Sequence, residues 1–387
     1  MHSTTASISY EARRKSIWSS LYSFQEALPG LLAMFFIAIA SNNLAGVPNP
    51  INLENLFHYL DNVIGPVNGQ YVFQIFNTNF VWNAFFMGLF IGNVFGVPDS
   101  WKRGLSYIHK FMPLGIVMLA PHFIIGHAAK AGLVPILIVA AALVFTASVT
   151  LLLAKFLRVD DRHASVLAGG LATGDPHVCA ILMPMIKARG GQVINAFVSV
   201  VLFGAIASVV LPLIGAKMGL SPQAFGLATV SAVGNGAQAF SAGFAHSYEA
   251  GRYSIYYDVV RHVLMPAGFL YVFGVMFLRK LMHKRDPEIN ATRGVDSIPL
   301  YVVVFVVSWI VASLHVVKEP AHVAIFEMVK WDFSLAAGAL GLSMSVREIW
   351  DWGTWRGFAL ASVSGTLRIA FVLAAVWLCA KYQLFNF

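Results

Sequence analysis

The sequence predicts an all-α polytopic membrane protein with about 11 transmembrane helices. Three observations predict it. Hydrophobic residues make up 58% of the 387 and charged residues only 11%, where a soluble chain carries roughly a quarter charged. Apolar runs of about 20 residues recur, each long enough to cross a hydrocarbon core of roughly 30 Å. Two runs in the middle of the chain, "GLATGDPHVCA" (170–180) and "SAVGNGAQAF" (231–240), carry helix breakers and polar groups at mid-depth. Irregular backbone at that depth is tolerated only where protein or a wet cavity covers it.

The expected spans are 29–46, 72–96, 111–128, 132–155, 163–186, 192–214, 222–245, 254–278, 297–315, 331–346 and 357–380. Segment 1–28 contains the basic, then amphipathic "YEARRKSIWSSLYSFQEALPG" and reads as a cytoplasmic or interfacial helix rather than a cleaved signal. Residues 29–387 then form a single transmembrane domain. An odd span count fits one leading helix plus two five-span units of opposite topology, approximately 72–215 and 222–381. The tenth span, with "AAGALGLS" (336–343), is the better inverted partner for the fifth, and the third span competes for that role. The echo of Gly170-Leu171-Ala172-Thr173 in Gly226-Leu227-Ala228-Thr229 joins the fifth and seventh spans, which run in the same direction.

The net charge of +8 reflects orientation and not a nucleic-acid partner, since no basic stripe is interleaved with aromatics. Arg13, Arg14 and Lys15, then Lys102, Arg103 and Lys110, then Lys155, Arg158 and Arg162 fall in segments that alternate onto one side, whereas the loop 47–71 has no Lys or Arg. The positive-inside rule places the N-terminus in the cytoplasm and the C-terminus outside. Cys179 and Cys379 lie inside apolar runs, so neither a disulfide framework nor a zinc cluster is indicated, and no metal or cofactor is expected. No zincin, nucleophile-elbow or phosphate-loop motif occurs, which argues against an enzyme.

Asp175 lies near the centre of the fifth span, where an aspartate costs about 2.5–3.5 kcal/mol. Pro176 removes a backbone donor and disfavours the helical region for Asp175, while Gly174 adds freedom to turn. The helix is expected to break here, with Thr173, Gly174 and His177 lining a substrate site and Asp175 and His177 carrying a coupling proton. The seventh span repeats the theme without charge: Gly234-Asn235-Gly236 either opens a turn or packs small residues tightly against another helix, and Asn235 and Gln238 are offered as binding groups. In the eighth span Asp258, Arg261 and His262 share one face. Arg261 either pairs with Asp258 and neutralises itself or meets an anion, with Asp258 a second coupling group. Arg368 in "GTLRIAF" has no close sequence partner and is expected to snorkel from the cytoplasmic half of its helix. His122 and His127 read as polar lining.

Six stretches in order, "FMGLFIGNVFG" (86–96), "KFMPLGIVMLAPHF" (110–123), "MPMIKA" (183–188), "VVLFGAIASVVLPLIG" (200–215), "FGLATVSAVGNGAQAFSAG" (225–243) and "LGLSMSVREIWDWG" (340–353), resemble the YeiH-like membrane proteins. That family carries the provisional label of sulfate exporters and is similar to the inverted-repeat sodium/proton antiporters and bile-acid symporters. The resemblance implies a core domain of broken, crossing helices moving against a flatter scaffold. Gln238, Arg261, Pro184, Gly170, Gly226 and Gly243 match the family pattern. The polar centre departs from it: Gly174-Asp175-Pro176-His177 replaces a small-residue run, Gly234 and Asn235 stand where the family has a histidine and an acid, and Asp258 replaces a lysine.

The sequence therefore points to a secondary transporter working by alternating access on a small anion such as sulfate or a sulfonate. A proton is expected as the coupling ion ahead of sodium, in a bacterial inner membrane. The bilayer is the expected partner, with a homodimer left open. A cation/proton antiporter holding its ion on Asp175 and Asn235 is the alternative, and a membrane-embedded enzyme or a channel stand further off.

Overall fold

The computed structural model describes residues 24–66, 70–76, 80–123, 131–282, 300–314, 319–345, 353–382 and 384. His127, Arg347 and most of segment 1–28 lie outside them, as does the side chain of His122.

The protein is an all-α polytopic membrane protein. Among the described residues, five helices are individually long and apolar enough to cross a bilayer. They are α1 (Phe24–Ser41), α7 (Leu133–Phe156), α10 (Gly190–Met218), α13 (Tyr248–Met282) and α16 (Gly353–Lys381). The helix α1 is already helical at Phe24, five residues before the expected 29, and stops at Ser41-Asn42-Asn43, where polar residues end the apolar run.

The expected loop 47–71 instead holds an amphipathic helix, α2 (Leu53–Ile64), whose first turn is closed by the Asn52 side chain accepting from Asn55 N. The second span is divided into a short α3 (Val72–Ile75) and α4 (Phe80–Val94). The third starts earlier than expected, through α5 (Asp99–Leu105) and α6 (Ile108–Leu119). The ninth is α14 (Leu300–Ser313), and the tenth, α15 (Glu319–Leu342), is already helical twelve residues before the expected 331.

The fifth and seventh spans are each split into two half-helices, the fifth as its breakers predict and the seventh by an opened turn. The fifth is α8 (Asp161–Thr173) followed by α9 (His177–Ile186). The seventh is α11 (Pro222–Ala232) followed by α12 (Gly236–His246). No half exceeds 13 residues, which at 1.5 Å per residue is about 20 Å, too short to cross alone.

The helices sort into two groups. Helices α4, α5, α6, α14 and α15 pack on one another, with α1 joined to them through Phe35 stacked on Trp331 and through Asn42 bonded to Ser334. Helices α7 to α13 pack together with α16. The seam between the groups is apolar and aromatic: Trp82 of α4 stacks on Phe197 of α10 at 4.9 Å. Val81, Phe85, Ala180, Ile194, Ala337 and Leu340 line a small cavity along it.

Candidate functional site

The breaks of the fifth and seventh spans meet. Gly174 ends α8 with φ 68° and Gly234 follows α11 with φ 81°, both left-handed values that an L side chain adopts only at a cost. A Cβ built on Gly174 would lie within 2.1 Å of the Gly234 Cα, so the two chains touch backbone to backbone. The partner of the fifth span's discontinuity is thus the seventh span. Crossing half-helices leave two helix C-termini and two helix N-termini at one place, each with backbone groups that their own helix does not satisfy.

The N-termini are closed by the side chains that the sequence places there. Asp175 Oδ1 accepts from His177 N at 2.9 Å, capping α9. The same oxygen lies 2.5 Å from His177 Nδ1, so carboxylate and imidazole form a close pair. The His177 ring stacks on Phe80 at 5.6 Å and so touches the other helix group. Asn235 Oδ1 accepts from Gln238 N at 3.3 Å and caps α12. Gln238 Nε2 donates to Ile75 O at 2.6 Å and Val201 O at 3.0 Å, tying α12 to α3 and α10. Thr173 turns its hydroxyl back to Gly169 O at 2.8 Å.

Two arginines serve the C-termini. Arg261, 4% exposed, donates from Nη1 to Thr173 O at 3.3 Å and from Nε to Asp258 Oδ1 at 2.7 Å. Its Nη1 is also 4.0 Å from Asp175 Oδ2. The Asp258–Arg261 pair expected from i,i+3 spacing therefore exists, and His262 Nδ1 reaches the second Asp258 oxygen at 3.0 Å. A Cβ on Gly236 would sit 3.2 Å from Asp258 Oδ2 and 3.6 Å from Arg261 Nη2, which places this ion pair beside the N-terminus of α12. Arg368, 3% exposed, donates from Nε to Ser231 O at 2.7 Å and from Nη1 to Leu171 O.

Arg368 corrects an expectation. It was expected to snorkel, but it is buried at the crossing. The signal was present in the sequence: residue 368 is central both in the expected span 357–380 and in Gly353–Lys381. About 20 Å of helix on either side is more than an arginine side chain can reach across.

The structure thus gathers Thr173, Gly174, Asp175, His177, Asn235, Gln238, Asp258 and Arg261 around one crossing, and adds Arg368, Ser231 and Phe80. Cys179 is buried, with Sγ turned to Val166 O at 3.7 Å. Among the described residues no cluster of His, Cys, Asp and Glu could hold a metal ion.

The sequence profile of a family described as conserved hypothetical protein 698 matches residues 29–360. A UPF0324 membrane protein of Nitratidesulfovibrio vulgaris (strain Hildenborough) is 26% identical over 361 residues, 91% of this chain and 93% of the relative. The UPF0324 inner membrane protein YeiH of Escherichia coli (strain K12) is 29% identical over 278 residues, 69% of this chain and 76% of the relative. No solved structure matches the chain. With that profile spanning most of the chain, and relatives of this kind along its length, the protein belongs to the conserved hypothetical protein 698 family, the UPF0324 YeiH-like membrane proteins.

Proposed function

We propose that the protein is a secondary active transporter for a small anion, sulfate or a sulfonate in class, driven by protons. The observation that carries this reading is the crossing of two discontinuous helices at Gly174 and Gly234, with Arg261 buried beside it. Such crossings supply half-helix N-termini, whose dipoles favour an anion. Here Gly236 and Ala237 open α12 next to Arg261 Nη2, a forked donor suited to oxyanions.

The carboxylates make the coupling. Asp258 holds Arg261, and Asp175 approaches it, so an arriving anion competes with both for one guanidinium. A proton taken by the Asp175–His177 pair or by Asp258 removes a competitor, and the anion then enters without two like charges side by side. Asn235 and Gln238 shape the site, because their polar atoms are engaged with backbone. Movement of the α7–α13 and α16 group along the apolar seam, with Phe80 and His177 at its edge, gives alternating access. The 72–215 and 222–381 repeats and the inner membrane location, N-terminus in and C-terminus out, complete the reading. The relatives named as inner membrane proteins support the location.

A second reading, a cation/proton antiporter, is favoured by one observation: Asp258 already neutralises Arg261. Against it, Arg261 and Arg368 put two positive charges at the crossing, and Asn235 Oδ1 is committed to its cap. A membrane-embedded enzyme using Asp175, His177 or Cys179 is the reading of another class; the absence of catalytic motifs in the sequence counts against it.

A thermal-unfolding screen of the purified protein in sulfate, methanesulfonate and acetate against sodium, potassium and choline salts, across pH, tests the choice. A ligand that binds the native state raises Tm. The anion reading expects an oxyanion to raise Tm more at acid pH, and Arg261→Gln to lose the response. Stabilisation by an alkali cation with no response to any anion would favour the antiporter.

A further inference from the structure

Among the described residues, no carboxylate lies within ion-pair distance of Arg368, although it carries a full charge at the middle of a membrane helix. Its partners are the carbonyls of Leu171 and Ser231. Leu171 belongs to the last turn of α8, which ends at Thr173, and Ser231 to the last turn of α11, which ends at Ala232. A helix C-terminus carries roughly −0.5 elementary charge. Two of them facing one guanidinium therefore come to about −1, the charge that one monovalent cation balances. Both guanidinium nitrogens Nη1 and Nη2 would lie 3.0 Å from a Cβ on Gly234, so the group is packed into the crossing itself.

A second observation points to a ligand shell. The hydroxyls of Ser231 and Ser364 are buried and lack a hydrogen-bond partner. Ser231 supplies one of the carbonyls that Arg368 uses, and Ser364 lies one turn before Arg368 on the same face of α16. With the two carbonyls they are neutral oxygens of the kind that hold an alkali-metal ion.

We propose that Arg368 is a tethered cation. Its guanidinium fills a monovalent-cation site formed by the C-terminal ends of α8 and α11. The crossing is then complete without sodium, and truncating the side chain opens a site that sodium or a small guanidinium ion can enter. This inference goes beyond the anion reading and stands without it, because its test uses no transported substrate.

The test is thermal unfolding of purified wild type, Arg368→Lys and Arg368→Ala in sodium, potassium and methylguanidinium chloride, each against choline chloride at equal ionic strength. Wild type and Arg368→Lys are expected to show the same Tm in every salt. Arg368→Ala is expected to have a lower Tm that rises with the logarithm of sodium or methylguanidinium concentration. Stabilisation of wild type by sodium over choline overturns the proposal, as does an Arg368→Ala protein indifferent to every cation. If Arg368→Ala fails to fold in choline, purification in methylguanidinium restores its yield under the proposal, and no recovery overturns it.

Discussion

Glycine brings helix backbones together at several places in this molecule, and two of them do it differently. At the α8–α9 and α11–α12 crossing, Gly174 and Gly234 have left-handed backbone and interrupt their helices. Along the α4–α15 seam, Gly88, Gly338 and Gly341 lie inside continuous helices that approach each other closely. Polar groups accompany both. At the seam they are neutral: Asn42 Nδ2 donates to Phe80 O at 2.9 Å and Ser334 Oγ at 3.2 Å, and Asn83 Nδ2 donates to Asn42 Oδ1. At the crossing, arginines reach carbonyls left open by broken helices, and aspartates cap or counter what remains. Close packing alone holds helices together; only a break supplies the unsatisfied backbone on which ions and charged side chains act.

The comparison can be broken at its glycines. Gly174→Ala should be the most damaging change, because its Cβ meets backbone at 2.1 Å and positive φ disfavours any side chain. A loss of at least about 3 kcal/mol is expected from strain and overpacking together, read as failure to purify a monodisperse protein. Gly338→Ala meets the Ile37 side chain at 3.1 Å and backbone no closer than Ala84 O at 3.9 Å, and should change stability by about 1 kcal/mol or less. Equal damage at both would erase the distinction.

Next in size is the buried ion pair. Removing one partner by Asp258→Ala leaves Arg261 only the more distant Asp175, at 4.0 Å, and should cost about 3 kcal/mol, the lower end for a broken buried pair. The double variant Asp258→Ala/Arg261→Ala should recover part of it in a thermal or denaturant cycle, and strict additivity would show that the pair is not coupled. At the seam, Asn42→Ala removes the side-chain hydrogen bonds to Ser41, Phe80, Ser334 and Asn83, each worth about 0.6 kcal/mol on average in membranes. A loss of about 2 kcal/mol is expected, with transport kept. A transport defect out of proportion to that loss would move the functional site towards the seam.

The fold class was legible in the apolar runs, and the fifth span's break in the coincidence of Gly174, Asp175 and Pro176; the glycines of 234–236 fitted close packing as well as a break, as Gly88 and Gly338 show. The Asp258–Arg261 pair was legible because i,i+3 spacing fixes its geometry. That the two breaks meet was not, since Gly174 and Gly234 are sixty residues apart and nothing local records a contact over that distance. Arg368 was misplaced because its partners are carbonyls, which leave no trace in residue identity. The helix α2 was missed despite a readable cap at Asn52 and apolar Leu53, Leu56, Phe57 and Leu60 at helical spacing, because loop 47–71 was judged by charge alone. The two groups of helices show up only in packing.

The central claim is that a proton on the Asp175–His177 pair frees Arg261 for an anion. Proteoliposomes loaded with a pH-sensitive dye test it most directly, using the oxyanion that most raises Tm. Adding that anion outside at acid pH should acidify the lumen for wild type. Asp175→Asn should abolish the acidification while labelled-anion exchange continues. Anion-driven acidification that persists unchanged in Asp175→Asn would contradict the account.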